Sequence, residues 1–506
     1  MGSRKNLLLS VRILFSTTTS AALWLTTAAI ATASLPTIGP DYARPTTPTS
    51  AEFRHTQPTT AAWKTAAPAD AFSRGEWWKI FNDATLTQLE SDALQANQDL
   101  HAAAARVEQA AAAAGLARSA FWPQAALDAS ASRTQSSRTI ANAFPQSLAN
   151  NYNAPLIASW ELDLFGRVRR LNEGARDEAA SSAAIFESVR LALTAQVAQS
   201  YFALRGLDQE RALLRETADL RRRELALIDA RLKNGAATDL DRARAETELA
   251  SAEAETAAVS RQRETVQDAL AVLVGVSASS FALAENASNA LTLDAQVPTV
   301  PAGLPSDLLE RRPDVAAAER ALAAANARIG VAKAAFFPAL SLTGSAGFAS
   351  DQMSNLLHTD SREWSIGPSL YLPIFQGGRN RANLQRSRAA FEESVATYRE
   401  SVLVAFREVQ DALAATAWLN EQAGAQTRAL VSAQRAAKLA QARYDAGFVS
   451  YLEVIDAERT ALATRRVSVQ LATERFTTAV TLFKALGGGW HASGAFESNP
   501  NRITKL

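Results

Sequence analysis

Two stretches of the chain alternate between apolar and polar positions. Leu156, Ala158, Trp160, Leu162 and Leu164 alternate with Ile157, Ser159, Glu161 and Asp163; Trp364, Ile366, Leu370 and Leu372 alternate with Ser365, Gly367, Ser369 and Tyr371. A period of two predicts strands with one apolar and one polar face. Each has an earlier strand before it, so four strands are expected, at about 119–133, 155–164, 339–348 and 363–372. Glu161 and Asp163 imply that the second face is wet and mark it as a candidate lumen lining. Trp122, Trp160, Phe165, Phe336, Phe337, Trp364 and Phe375 cluster at the strand ends, as in membrane-interface girdles.

The periodicity then changes. Residues 167–233 and 379–446 contain no proline and predict two helices of about 100 Å at roughly 1.5 Å per residue. Leu384, Phe391, Val395, Tyr398, Val402, Phe406, Val409 and Leu413 step by sevens, fours and threes, a seam for coiled-coil packing. Gly235 and Gly447 mark tight reversals, followed by returning helices over about 239–274 and 450–486. Alanine-rich leading helices are expected over about 83–117 and 306–335, ended by Pro123 and Pro338.

These elements form one unit used twice. Phe121-Trp122-Pro123 recurs as Phe336-Phe337-Pro338. At an offset of 212 residues, Gly235 matches Gly447, Leu240 matches Leu452, Ala245-Glu246 matches Ala457-Glu458, and Gly275 matches Gly487. The predicted layout is a signal peptide over 1–33, an extended arm and equatorial segment over 34–82, and repeat one over 83–275. An equatorial linker over 276–305, repeat two over 306–487 and a tail over 488–506 follow. The signal rests on Arg4, Lys5 and Arg12, an apolar stretch, and a cleavage site at Ala31-Thr32-Ala33; it predicts export from a bacterial cytoplasm.

Composition removes most enzyme chemistry. The chain has 506 residues, no cysteine and four scattered histidines, so neither thiol catalysis nor a histidine metal centre is expected, and no cofactor. Gly487-Gly488-Gly489 is no phosphate loop, since no strand precedes it and no helix follows. Charge nearly cancels, 52 basic against 51 acidic residues, which disfavours nucleic acid as a partner. Mean hydropathy is −0.09 and no long apolar run follows the N-terminus, which excludes a helical membrane protein.

Four strands cannot close a barrel, and open sheet edges cannot face lipid. Closure therefore demands oligomerisation. A dimer gives eight strands and a filled interior; a trimer gives twelve and an open lumen. The trimer is preferred, because a long helical wall serves no purpose around a plugged barrel.

The block Leu304-Pro305-Ser306-Asp307-Leu308-Leu309-Glu310-Arg311-Arg312-Pro313-Asp314-Val315, with Ala318-Glu319, Ile329-Gly330 and Phe337-Pro338-Ala339-Leu340-Ser341-Leu342, resembles the outer-membrane efflux factors. These are TolC-type channels, here of the NodT-like branch that serves resistance-nodulation-division pumps. Ile38-Gly39-Pro40-Asp41-Tyr42 and Trp77-Trp78 with Phe81-Asn82-Asp83 are similar to that branch's N-terminal blocks. The resemblance implies an α+β membrane protein: a trimeric 12-stranded outer-membrane β-barrel, four strands per chain, continued by a long helical coiled-coil barrel across the periplasm. It implies a non-enzymatic conduit for small molecules, partnered by a periplasmic adaptor and an inner-membrane transporter. Many members of the branch carry a lipidated cysteine, and this chain has none, so anchoring rests on the barrel and the packing of the arm.

By the same resemblance the second hairpin tip closes the periplasmic aperture, lined by Leu452, Glu453, Asp456 and Arg459, with Arg459 pairing to a neighbouring subunit's Asp456. Adaptor hairpins are expected near Gly235, Gly447 and Tyr444. Alternative readings are a channel for type I protein secretion and a periplasmic coiled-coil scaffold; the scaffold leaves the alternating strands without a purpose.

Overall fold

The computed structural model describes residues 37–46, 75–137, 148–285, 291–293, 295, 297–298 and 311–488. The expected signal peptide, most of the C-terminal tail, much of the arm and linker, and the start of the second leading helix lie outside these residues.

Six antiparallel strands form one sheet: β1 (Gln124–Leu127), β2 (Ser130–Gln135), β3 (Leu148–Asn153), β4 (Leu156–Leu162), β5 (Ala339–Ser350) and β6 (Arg362–Tyr371). The first expected strand is broken in two at Asp128-Ala129, and the second is preceded by a strand not expected from the sequence, β3, set off from β4 at Ala154-Pro155. Pro155 has no N–H to give to a ladder. Opposite the break lies Gly347, where a Cβ would come within 2.4 Å of the Ala154 carbonyl oxygen and the Pro155 Cα. The kinked backbone thus needs a glycine partner.

Register makes the two faces explicit. Leu162–Leu340–Leu370, Trp160–Leu342–Pro368 and Leu156–Ala346–Trp364 form rows on one face. Glu161–Ser341–Ser369, Ser159–Thr343–Gly367 and Ile157–Ser345–Ser365 form rows on the other. The apolar rows are largely solvent-exposed within the chain: Leu156, Trp364, Ile366 and Leu370 all exceed half exposure. A greasy face this uncovered fits lipid, not water.

The α-helices among the described residues include α1 (Ala84–Ala96), α2 (Gln98–Ser119), α3 (Arg167–Lys233), α4 (Asp239–Val274), α5 (Pro313–Ala334), α6 (Arg379–Asp445) and α7 (Tyr451–Ala485). None of the described helices is long and apolar enough to cross a membrane. The single leading helix expected over 83–117 is two helices. Asn97 breaks it, accepting the Leu100 N–H at 3.0 Å at the start of α2 and donating to the Leu273 carbonyl at 3.0 Å near the end of α4.

The two copies match closely. Both long helices, α3 and α6, have 67 residues. Both end at a left-handed glycine, Gly235 at φ +71° and Gly447 at φ +76°, and both returning helices end at another, Gly275 and Gly487. The predicted seam on α6 is buried: Val395, Tyr398, Val402 and Val409 form a core with Val315 and Leu322 of α5. A second core, centred on Trp77, Trp78, Tyr201, Phe202 and Phe483, lies at the belt where the arm-proximal segment meets α3 and α7.

The Arg311-Arg312-Pro313-Asp314 motif has a structural reason. Arg312 caps α5, donating to Asp314, to Glu408 on α6 at 2.6 Å and to the Ala485 carbonyl at the end of α7 at 3.1 Å. One guanidinium therefore ties three helices, as a planar five-donor group can.

The arm is held by packing. Ile38 donates to the Phe165 carbonyl, Asn326 to the Pro40 carbonyl, Arg170 to Asp41, and Tyr42 and Arg44 to Glu319. Burial, with the Glu319 carboxylate beside it, pushes the Tyr42 hydroxyl well above its usual range. Gly39 sits at φ +121°, and a Cβ there would lie 2.6 Å from the Gly330 Cα. Gly39→Val is therefore expected to release the arm, at a cost of about 1–3 kcal/mol for backbone strain alone. Limited proteolysis should cut the variant near residue 44 while its helix content stays unchanged. Equal resistance of variant and parent would contradict this packing.

Candidate functional site

The two hairpin tips lie side by side, because α3 packs on α4 and on α7, and α6 packs on α7. Each tip is a glycine-ended reversal. Gly235 donates to the Leu232 carbonyl and Ala236 to Arg231; Gly447 donates to Tyr444 and Phe448 to Arg443. Thr238 and Asp241 form a capping box that starts α4. Tyr444 and Tyr451 meet at 5.6 Å between ring centroids, and the Arg231 guanidinium lies 5.0 Å from the Tyr444 ring centre. The Tyr444 expected for partner docking is thus part of the seam between the tips, joined to Ile228, Val454 and Ile455.

Leu452, Glu453 and Asp456 are exposed, on the side of α7 turned away from the chain's own core. Glu453 lies 4.0 Å from Arg443, and Asp456 makes no ion pair among the described residues. Within the chain, Arg459 Nε donates to Glu248 of α4 at 2.9 Å. The reason is burial: the Glu248 side chain is only 9% exposed, and a carboxylate that dry requires a counterion within reach.

Sequence reasoning missed the centre of this arrangement. Arg221 on α3 is 3% exposed and faces three carboxylates from three helices. It donates to Glu224 at 2.9 Å and to Glu458 of α7, and lies 3.9 Å from Glu248 of α4. Tyr451 donates to Glu224 at 3.5 Å. Two arginines thus answer three carboxylates. Burial, with the Glu224 carboxylate nearby and despite Arg221, pushes the Glu458 carboxyl up to about 7. The only hint in the chain was the Arg221-Arg222-Arg223 run, which reads equally as a solvated helix face.

At the foot of the sheet, Glu161 accepts from Arg167 Nε at 2.7 Å, and Asp163 accepts from the Arg169 backbone and its Nε. Both candidate lumen residues therefore serve the strand-to-helix junction. Among the described residues there is no group of acidic and histidine side chains able to hold a metal ion.

Comparison with known proteins is consistent throughout. The family described as Outer membrane efflux protein matches residues 89–276 and 304–488. Outer membrane protein OprJ of Pseudomonas aeruginosa is 37% identical over 454 residues, covering 90% of this chain and 93% of that protein. Toluene efflux pump outer membrane protein TtgI of Pseudomonas putida is 36% identical, covering 90% and 95%. The open state of the MtrE outer membrane channel of Neisseria gonorrhoeae superposes with a TM-score of 0.75 at 31% identity, over 90% of this chain and 98% of that one.

Proposed function

The chain belongs to the outer membrane efflux protein family and is the outer-membrane channel of an efflux system; on that premise we propose that three copies close into one continuous duct, gated at the hairpin tips. The supporting observation is that every layer of the chain is open at the same two margins. The sheet runs β1–β4–β5–β6, with β1 and β6 each paired on one side only. The helices below succeed one another as α2–α3–α5–α6, and those nearer the tips as α4–α3–α7–α6. One margin always comes from the first repeat and the other from the second. Such a head-to-tail surface closes into a ring. Three copies, each giving four strand paths, supply twelve strands, enough for a lumen.

In this reading the apolar rows face lipid, the serine- and threonine-rich rows face the lumen, and Leu452, Glu453 and Asp456 ring the periplasmic mouth. The toluene named for the TtgI pump supports small molecules as cargo. A periplasmic adaptor docks near Gly235 and Gly447, and a resistance-nodulation-division transporter feeds the duct.

The gate is the junction between the two hairpins of each chain, held by Arg221. Its pH dependence follows from Glu458. The folded carboxyl titrates at about 7, above the ordinary value of 4.5, so its contribution to closure is present at acid pH and is lost as pH rises from about 4.5 through 7. Single-channel conductance of the purified protein in a planar bilayer is expected to increase between pH 5.5 and 8.5, and Glu458→Gln to stay low and flat. Identical profiles for the two proteins would refute the gate.

A further inference from the structure

An open cleft of about 340 Å³ lies directly under the sheet, lined by Phe121, Arg169, Asn172, Glu173, Arg176 and Asp177. Its height and side are fixed by two bonds. Trp160, from the apolar rows, donates its Nε1 to the Phe121 carbonyl at 3.0 Å, so the cleft sits at the foot of the lipid-facing side. Glu173 accepts from Arg170, which also binds Asp41 of the arm, so the cleft and the arm share one side of α3. In a barrel with an aromatic rim here, that is the headgroup zone of the periplasmic leaflet.

The lining is polar, and ion pairs within the chain use only part of it: Glu173 with Arg170 and Arg169 with Asp163. Asn172 is 3% exposed, yet its Nδ2 has no hydrogen-bond partner among the described residues. A buried amide donor left unmade is costly, so it points to a ligand absent from the chain itself. Arg176 is exposed and makes no ion pair among the described residues; Arg169 is already bonded to Asp163. Asp177 is half-buried, and burial raises its carboxyl above the usual range against the pull of the Arg320 guanidinium. Donors and guanidinium groups suit a phosphate, while Asp177 and Glu173 suit an ammonium beside it. Charges of both signs within one cleft select a zwitterion over an anion.

We propose that this cleft binds the phosphoethanolamine headgroup of a membrane phospholipid, its phosphate on Arg176, Arg169 and Asn172 Nδ2 and its primary ammonium on Asp177 and Glu173. A choline headgroup has no N–H to donate to the carboxylates, and a glycerol headgroup brings no cation to them. The lipid stays where the arm meets the barrel and supplies the adhesion that a covalent acyl chain provides elsewhere. The site rests on the outer-membrane placement but not on ring closure, since every lining residue comes from one chain.

The test is native mass spectrometry of the full-length channel after exchange into an equal mixture of dioleoyl phosphatidylethanolamine, phosphatidylcholine and phosphatidylglycerol. The expected result is about tenfold enrichment of phosphatidylethanolamine over phosphatidylcholine, the scale of one charge-assisted hydrogen bond. Arg176→Gln combined with Asp177→Asn should abolish it. Equal retention of the lipids by the parent protein overturns the proposal and requires no variant. Enrichment that survives the double substitution overturns it as well. Titration with soluble phosphoethanolamine separates the sources: failure to displace the lipid assigns the site to membrane lipid, and displacement at micromolar concentration overturns that assignment.

Discussion

Replacing Arg221 by methionine is expected to open the channel at its periplasmic end. Methionine keeps an unbranched apolar stem in the seam, but leaves Glu224, Glu248 and Glu458 facing one another with only the exposed Arg459 as counterion. Removing one partner from a buried ionic cluster costs about 3–5 kcal/mol, because the remaining charges stay dry and unanswered. That energy is concentrated where α3, α4 and α7 meet, so the hairpins should part before the rest of the chain unfolds. We expect bilayer conductance to rise several-fold and amide exchange over residues 445–460 to accelerate, with helix content unchanged. Arg222→Met is the control. Its pairs with Asp219 and Glu253 lie on the surface, in water, and its conductance should match the parent. If Arg221→Met and Arg222→Met behave alike, the tip is not held by this cluster.

The second large effect belongs to Glu90. It is fully buried in α1, and neither carboxyl oxygen has a hydrogen-bond partner among the described residues. Burial alone pushes its carboxyl up to about 9. The folded protein therefore holds a neutral acid at neutral pH, while the unfolded chain releases the proton near the ordinary value. Stability is full below about pH 4.5 and declines as pH rises toward 9, a loss on the order of 5 kcal/mol across that window. Glu90→Gln keeps the shape and removes the titration. Thermal melts should show the parent losing stability between pH 6 and 9 and the variant remaining level over that range. Parallel curves would mean that the carboxyl finds a partner in the assembled protein.

Much of this architecture was written in periodicity. Period-two alternation around Trp160 and Trp364 located β4 and β6, because a sheet with one apolar and one polar face leaves each position only one acceptable chemistry. The α6 seam from Val395 to Val409 was legible for a like reason, since one stripe of the helix packs against α5. What stayed hidden depended on contacts distant in sequence. The break at Asn97 rests on a carbonyl of α4, and the surrounding alanines carry no stop signal of their own. The kink at Pro155 was visible as a proline, but its tolerance comes from Gly347, almost two hundred residues away. The tip cluster was the hardest to foresee. Arg221, Glu248 and Glu458 sit on three helices, and no local pattern separates a buried charge from a solvated one until the helices are packed.

The most direct measurement for the whole account is the mass of the mature protein extracted from outer membrane in mild detergent. Closure of margins β1 and β6, α2 and α6 predicts a particle of three chains that survives without crosslinking, with the backbone amides of β6 protected from exchange. A single chain, stable in ordinary buffer with those strand edges open to exchange, would contradict it.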